Sequence, residues 1–142
     1  AVIMKMLDEI DNGQGPTIMG DGSEAFDFVS VFDCALANVC AMKADTNGRY
    51  YNVGTGVRTS LKELAEKLLN LTGSNQDIQY QPRSQATLVR NRIGDPNRAI
   101  EEIDFTAKID LEEGLKALIE WRANHKAEVD ARRAAQRSPN NL

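Results

Sequence analysis

Apolar residues recur every three or four positions in two stretches of the chain, which is the spacing of a helix that buries one face. The first stretch covers about three helical turns, and Asn12-Gly13 ends it. The second stretch follows Ser60-Leu61-Lys62-Glu63, a capping-box pattern that predicts where the helix begins. The apolar faces comprise Ile3, Met6, Leu7 and Ile10 in the first helix, and Leu61, Leu64, Ala65, Leu68 and Leu69 in the second.

Three further helices are predicted from the residues that precede them. Asp33 is expected to cap a slim, alanine-rich helix over residues 34–43. Asp95-Pro96 begins a short helix that reaches about Ile103, because proline is favoured at the start of a helix. Asp110 precedes a longer helix, whose apolar face comprises Leu111, Leu115, Leu118 and Ile119.

Short runs of β-branched and aromatic residues predict four strands, at residues 17–19, 26–31, 49–53 and 78–80. Helices and strands therefore intermix along the chain, without an internal repeat or a long linker. This order predicts a small mixed α/β domain with an α+β-like arrangement. We expect the domain to cover residues 1–125, and residues 126–142 to form a polar helical extension that ends in a loose tail.

The composition is that of an ordinary globular chain and narrows the classes of partner. The 142 residues include 17 Lys and Arg against 21 Asp and Glu, which gives a net charge of −4. Nucleic-acid binding is not expected, because no broad basic face is available to neutralise phosphates. Membrane insertion is not expected either, because no apolar run approaches the ~20 residues of a span. The first residues lack the order of a signal peptide, so we expect a cytoplasmic protein.

The cysteines and the histidine do not predict a metal site. Cys34 and Cys40 share one apolar segment without a CxxC spacing, and His125 is the sole histidine. A structural zinc site requires four clustered ligands of these types. We therefore expect the cysteines to be small buried apolar residues and His125 to be solvated.

Two glycine signals leave open whether a phosphate binds at a turn. Gly20-Asp21-Gly22 opens a GxGxxA match, but a strand is predicted after it where a dinucleotide fingerprint needs a helix. Gly54-Thr55-Gly56 lies between a predicted strand and the helix capped by Ser60, so its backbone NH groups could receive an anion. Thr59 stands in place of the third glycine of that fingerprint. A plain glycine turn and a strand-to-helix turn are the alternatives.

Pairs of residues typical of catalysis are missing from the sequence. Tyr50, Tyr51 and Tyr80 are not followed by a lysine four residues later, so the Tyr-Lys pair of hydride chemistry at a sugar hydroxyl is absent. Glu112 and Glu113 are adjacent on a helix and point in different directions, which favours a role in the first helical turn over acid-base chemistry. We predict no catalytic residue in this chain.

Several motifs, in order and at matching spacing, resemble the C-terminal half of NAD-dependent nucleotide-sugar epimerases and dehydratases. The resemblance is to the UDP-glucose 4-epimerase branch of the extended short-chain dehydrogenases, and it covers residues 1–121. The motifs are Gly20-Asp21-Gly22-Ser23, Asp27-Phe28-Val29-Ser30-Val31-Phe32-Asp33, Tyr51-Asn52-Val53-Gly54-Thr55-Gly56, Ser60-Leu61-Lys62-Glu63-Leu64, Leu111-Glu112-Glu113-Gly114-Leu115 and Ile119-Glu120-Trp121.

The resemblance implies a set of substrate-binding residues. Thr17 and Met19 lie in the strand that resembles the one bordering the uracil ring, and Arg83, after Pro82, resembles the arginine that clamps the pyrophosphate. A guanidinium suits this role because its planar fork matches phosphate oxygens.

Two departures from the family pattern concern the phosphate contacts. Phe26 stands where the family has a second arginine, and Ser84-Gln85-Ala86-Thr87 replaces the usual Gly-Asp after the clamp. The spacing to Asp95 is also longer, which leaves Arg90 and Arg92 as alternatives for the clamp.

The resemblance leads to two hypotheses of different classes. In the first, the chain is the UDP-sugar-binding lobe of an NAD-dependent epimerase or dehydratase, incomplete for catalysis, with NAD expected only together with a Rossmann half. In the second, it is a stand-alone binding or interaction module that kept the fold of the lobe. Both include self-association or pairing with a Rossmann-domain partner, because the face toward the missing half would be apolar.

Overall fold

The fold, described here from a computed structural model that covers residues 2–83 and 90–137, combines six helices with five short strands in those ranges. The helices are α1 (Val2–Asp11), α2 (Val31–Lys43), α3 (Leu61–Thr72), α4 (Asn97–Ile103), α5 (Leu111–Asn124) and α6 (Lys126–Arg137). The strands are β1 (Thr17–Met19), β2 (Ala25–Phe26), β3 (Thr59–Ser60), β4 (Gln79–Gln81) and β5 (Asn91–Arg92). The mixed fold predicted from the sequence is confirmed. Across the same ranges, no helix is long and apolar enough to cross a bilayer.

The strands form two small sheets. In one sheet β1 pairs in parallel with β4, with Ile18 opposite Tyr80. In the other, β2 lies between β3 and β5, antiparallel to β3 and parallel to β5. Phe26 is therefore opposite Thr59 on one side and Arg92 on the other.

Two clusters of buried apolar side chains hold the elements together. The larger one joins α1, β1, α3 and α5, and the smaller one joins α2, α4 and the segment after α4. The larger cluster contains Met6, Leu7, Ile18, Leu61, Leu64, Ala65, Leu68 and Leu115, and the smaller one Ala37, Ala99, Ile103 and Phe105. The predicted apolar faces of α1 and α3 thus form the main core.

Helix α3 begins and ends as its sequence predicts. The Ser60 hydroxyl accepts from the Glu63 backbone N–H at 3.1 Å, and the Ser60 backbone N–H donates to the Glu63 carboxylate at 2.7 Å. Gly73 ends the helix in the left-handed region, with φ of 66°. The capping box is confirmed, and its hydrogen bonds lower the pKa of Glu63, with the bond from the Ser60 backbone contributing most.

The predicted strand over residues 26–31 is present only at its first residue, and the predicted role of Asp33 is wrong. Strand β2 stops at Phe26, and α2 begins at Val31 with Ser30 as its cap, whose hydroxyl accepts from the Phe32 N–H at 3.3 Å. Asp33 lies inside the first turn and is 2% exposed. Its carboxylate accepts backbone N–H bonds from Lys108 at 2.9 Å and Ile109 at 3.1 Å. The aspartate therefore holds a distant loop and does not cap its own helix.

The predicted strand over residues 49–53 is also wrong, since this segment pairs with no strand of the described residues. Side chains hold it instead. The Tyr51 hydroxyl donates to the Glu102 carboxylate at 2.9 Å, and the Asn52 amide donates to the Asp95 carbonyl at 3.3 Å. Tyr51 also packs against the smaller cluster, whereas Tyr50 is 85% exposed.

The remaining predicted elements occur close to their expected positions. Helix α4 follows Pro96, and the Asp110 carboxylate caps α5 by accepting from the Glu113 N–H at 2.8 Å. Strand β4 begins one residue later than predicted. Beyond residue 125 the chain continues as α6. The loose tail predicted at its end falls on residues 138–142, outside the described ranges, and the domain boundary at residue 125 stays a prediction.

Candidate anion-binding site

A cavity of about 370 Å³ lies where β1 and β4 end. The two strands are parallel, so their carboxyl ends meet at one edge, and the Gly20 N–H donates to the Gln81 carbonyl at 2.9 Å there. Three of the five residues predicted to bind substrate line this cavity, and two do not. Its lining comprises Met19, Gly20, Asp21, Ser23, Glu24, Arg83 and Arg90.

The glycine turn after β1 shapes one wall. Gly22 has φ of 78°, and a Cβ there would lie 3.2 Å from the Cβ of Lys62, so the turn packs closely on the start of α3. The Asp21 carboxylate accepts from the Ser23 hydroxyl at 2.6 Å and from its N–H at 3.0 Å. These two bonds lower the pKa of Asp21, with a smaller contribution from the charge of Arg90. Asp21 is thereby kept ionised beside the cavity.

Arg83 forms the opposite wall and is held by two partners. Its Nη1 and Nη2 groups donate to the two carboxylate oxygens of Glu24, and Nη2 also donates to the Met19 carbonyl at 3.1 Å. The hydrogen bonds to Glu24 raise the pKa of Arg83 above its already high value. The side chains of Arg83 and Glu24 are 26% and 13% exposed. Arg83 is thus a fixed, partly buried cation.

The other predicted arginines lie in and before β5. Arg90 is exposed and lines the cavity, while its backbone carbonyl accepts from the Ala25 N–H at 2.9 Å. Arg92 is exposed, does not line the cavity, and is the partner of Phe26 in the parallel ladder. The structure thus brings Arg83 and Arg90 to one cavity and Arg92 to the edge of the neighbouring sheet.

Thr17 and Phe26 contribute to the fold around the site. The Thr17 N–H donates to the Glu9 carboxylate at 2.8 Å, which ties β1 to α1, and Thr17 does not line the cavity. Phe26 is half-buried against the larger core cluster, with its ring centroid 6.1 Å from that of Phe28. An aromatic residue at this position therefore supplies packing in place of a second positive charge.

Sequence reasoning missed two charged residues at this site. Glu24 and Arg83 are 59 residues apart in the sequence, so nothing in the local sequence indicates their pairing. Arg58 donates from Nη2 to the Ser23 carbonyl at 3.1 Å and from Nε to the Asn91 side chain at 3.3 Å. Its position follows from β3 lying antiparallel to β2, a pairing that two-residue strands do not reveal in sequence.

The second glycine turn, at residues 54–56, already binds a carboxylate of the protein itself, that of Asp27. The Asp27 carboxylate accepts from the Thr55 N–H at 3.0 Å, the Thr55 hydroxyl at 2.6 Å and the Gly56 N–H at 2.9 Å. Gly54 is required by close approach, because a Cβ there would lie 2.4 Å from Asp27 Oδ2. These NH groups are therefore occupied by the protein itself.

Neither glycine turn has the arrangement of a dinucleotide fingerprint. The turn at residues 54–56 is occupied by Asp27, and the turn at residues 20–22 leads into β2, where a dinucleotide site needs a helix N-terminus. Residues 20–22 are better described as a plain glycine turn, and residues 54–56 as a turn on the way from one element to the next.

A second, larger cavity of about 710 Å³ forms an apolar groove beside α5. Val31 and Phe32, at the start of α2, are 73% and 69% exposed at its edge. Its apolar lining includes Ile3, Phe28, Val31, Phe32, Ile109, Leu111, Leu115, Leu118 and Trp121. Exposed apolar surface of this extent is typical of faces that contact another polypeptide.

The cysteines and the histidine are not grouped as ligands. Cys34 and Cys40 are free thiols and half-buried, so they are less enclosed than predicted. His125 stacks on Trp121 with ring centroids 4.8 Å apart and is half-buried, where a solvated ring was predicted. In residues 2–83 and 90–137, no group of three His, Cys, Asp or Glu side chains is placed to hold a metal ion.

Comparison with known proteins identifies the family. The sequence model of the NAD dependent epimerase/dehydratase family matches residues 1–54. UDP-glucose 4-epimerase of Mycolicibacterium smegmatis is 34% identical over 112 residues, covering 79% of this chain and 36% of that protein.

Solved structures agree in fold over most of the chain. The structure of UDP-glucose 4-epimerase with UDP-glucose from Thermotoga maritima gives a TM-score of 0.81 at 31% identity, covering 87% of this chain and 40% of that one. The Bordetella bronchiseptica enzyme WbmF in complex with NAD+ gives 0.80 at 27% identity, covering 92% and 38%.

The fold and these matches define the class of the protein as nucleotide-sugar epimerase-like. The chain belongs to the NAD-dependent epimerase/dehydratase family, and its resemblance to UDP-glucose 4-epimerases is confirmed. It spans about two-fifths of the length of these relatives.

Proposed function

We propose that this chain is the UDP-sugar-binding lobe of an NAD-dependent epimerase or dehydratase and grips the diphosphate of its ligand with Arg83. The observation that carries the proposal is the cavity at the ends of β1 and β4, where Met19, Arg83 and Arg90 meet. Support comes from the Thermotoga maritima relative, whose structure contains UDP-glucose.

The parts of the ligand are assigned to different walls of the cavity. Arg83 presents a partly buried, oriented guanidinium, and Arg90 adds an exposed positive charge for the same phosphates. The uracil ring lies along β1, next to Thr17 and Met19, of which Met19 lines the cavity. Arg92 lies beside Phe26 in the neighbouring strand and outside the lining of the cavity, so Arg83 and Arg90 are the arginines assigned to the phosphates.

Catalysis needs a second polypeptide segment in this proposal. Hydride transfer requires a bound nicotinamide and a base, and the tyrosines of this chain lack the lysine that would complete a Tyr-Lys pair. The lobe alone binds UDP or a UDP-sugar, does not bind NAD, and does not epimerise UDP-glucose. NAD belongs to the Rossmann half that completes the enzyme.

Thermal melting with added ligands tests the proposal. UDP and UDP-glucose should raise the melting temperature of the chain, whereas NAD at the same concentration should not. A ligand at 100 times its Kd stabilises by about 2.7 kcal/mol, which corresponds to several degrees in a domain of this size. The titration must reach millimolar concentrations, because Phe26 removes one phosphate contact. Equal shifts from UDP and NAD contradict the proposal.

A second candidate function is a stand-alone interaction module, and the apolar groove beside α5 favours it. This groove offers a surface for a second copy of the chain or for a Rossmann-domain partner. Association through the groove without UDP binding would support the interaction module. Binding of UDP would support the UDP-sugar-binding lobe.

A further inference from the structure

Glu24 occupies the side of the Arg83 guanidinium that a phosphate would use. Its two carboxylate oxygens accept from Nη1 and Nη2, which makes a fork-to-fork pair. A phosphate binds a guanidinium through the same two parallel donors. Glu24 and a ligand phosphate therefore compete for one set of N–H groups.

The remaining donors of Arg83 do not offer an equivalent site. A guanidinium has five N–H donors, and one on Nη2 is taken by the Met19 carbonyl. What is left is one N–H on Nη1 and the Nε–H, whose nitrogen lies 3.9 Å from where a Cβ on Gly20 would be. These two donors do not form a parallel fork with each other, and the Met19 carbonyl already occupies Nη2 in the second fork, which joins Nε–H and Nη2–H. A bidentate phosphate contact on Nη1 and Nη2 therefore requires displacement of Glu24.

Charges around the cavity also depend on Glu24. The lining contains two carboxylates, Asp21 and Glu24, against the two guanidinium groups of Arg83 and Arg90. The bonds from Ser23 lower the pKa of Asp21, so that carboxylate stays charged. The lining is therefore balanced in charge with Glu24 and carries one net positive charge without it.

We propose that Glu24 is a built-in competitor that sets the affinity and the ligand class of this anion site. This inference rests on the proposed function and deepens it. Displacing a bidentate carboxylate requires a group with at least the same charge and fork geometry, so the site selects diphosphates and excludes singly charged carboxylates. Glu24 thereby tunes the site for release of its ligand as well as for binding.

Calorimetric titration with inorganic pyrophosphate tests the inference. Glu24→Gln should bind pyrophosphate about tenfold more tightly than the unmodified chain, because one charge-assisted pair no longer has to be broken. Asp21→Asn is the matched control, since it removes one carboxylate from the same lining without touching the fork of Arg83; it should give a clearly smaller gain. Glu24→Asp keeps the charge, loosens the pair and should give an intermediate gain.

A double variant tests whether Arg83 is the residue that donates hydrogen bonds to pyrophosphate. The gain from Glu24→Gln should disappear when Arg83→Ala is added, which a double-mutant cycle measures directly. Unchanged or weaker binding by Glu24→Gln overturns the inference, and so does an equal gain from Asp21→Asn.

The same titrations separate this inference from the proposed function. If UDP binds no more tightly than pyrophosphate in every variant, the nucleotide is not recognised and the proposed function fails. The competition by Glu24 stands in that case if the pyrophosphate results are as expected.

Discussion

Two aspartates near the start of α2 each fix a distant loop. Asp27 accepts hydrogen bonds from the turn at residues 54–56, and Asp33 accepts from the backbone before α5. Each carboxylate accepts hydrogen bonds from backbone N–H groups of half-buried or exposed loop residues, which pair with no strand in the described part of the chain. The positions of these two loops thus depend on single residues far from them in sequence.

Replacing Asp27 should destabilise the fold. Asp27→Ala leaves the Thr55 and Gly56 donors without their acceptor, so we expect the free energy of unfolding to fall by about 2–3 kcal/mol. Asp27→Asn keeps one acceptor oxygen and should cost less. Asp45→Ala, at an exposed position, is the control and should change stability by less than about 0.5 kcal/mol. Urea denaturation gives these values, and equal stability of Asp27→Ala and Asp45→Ala contradicts the assignment.

At the scale of elements, local sequence predicts the helices better than the strands: β1 and β4 occur at or within one residue of their predicted positions, whereas residues 49–53 form no strand and β2 stops at Phe26. The start and end of α3 are encoded by Ser60, Glu63 and Gly73, which act within a few residues of each other. The strands are two or three residues long, too short for an alternating pattern to develop. Residues 49–53 have the composition of a strand, but the bond from Tyr51 to Glu102 holds them as a loop.

The same distinction explains what was predictable in the site. Arg83 follows Pro82 in a recognisable motif, so its candidacy arises from sequence. Its partner Glu24 does not, because the contact joins residues 59 positions apart. The sequence also does not predict that Asp27 occupies the turn at residues 54–56, because these residues are likewise distant from each other in the chain.

The capping box of α3 should give stability a specific pH dependence. Hydrogen bonds from Ser60 lower the pKa of Glu63, so its contribution is complete above the ordinary glutamate pKa of ~4.3 and is lost as pH falls through the lowered value. Glu63→Gln should therefore be less stable than the unmodified chain at neutral pH, and the difference should shrink in acid. Glu66→Gln, on the same helix, is the control without a capping role. A difference that is constant with pH contradicts this account.

At the scale of the molecule, one surface carries the polar cavity proposed to bind an anion, and another carries the apolar groove. The groove beside α5 is bordered by Val31 and Phe32, which are largely exposed, and its lining is mostly aliphatic and aromatic. Such a face lowers its free energy by contacting another polypeptide. In the described ranges, the groove and the cavity share no lining residue, so association and ligand binding are tested separately.

Sedimentation velocity should detect concentration-dependent association through the groove. Phe32→Glu places a charge at its edge and should abolish association without unfolding the chain. Met42→Glu is the matched control, because Met42 lies on the same helix, is 85% exposed and does not line the groove. A monomer at all concentrations, or equal loss of association in both variants, contradicts this use of the groove.

The central claim is that UDP binds at the ends of β1 and β4, and amide NMR shifts during a UDP titration test it most directly. The account predicts saturable changes at millimolar UDP, concentrated in residues 19–24 and at the Arg83 Nε–H, and absent with NAD. The turn at residues 54–56 should not respond, because Asp27 fills it. Largest changes at that turn or along the groove beside α5, or no saturable change at all, would contradict the account.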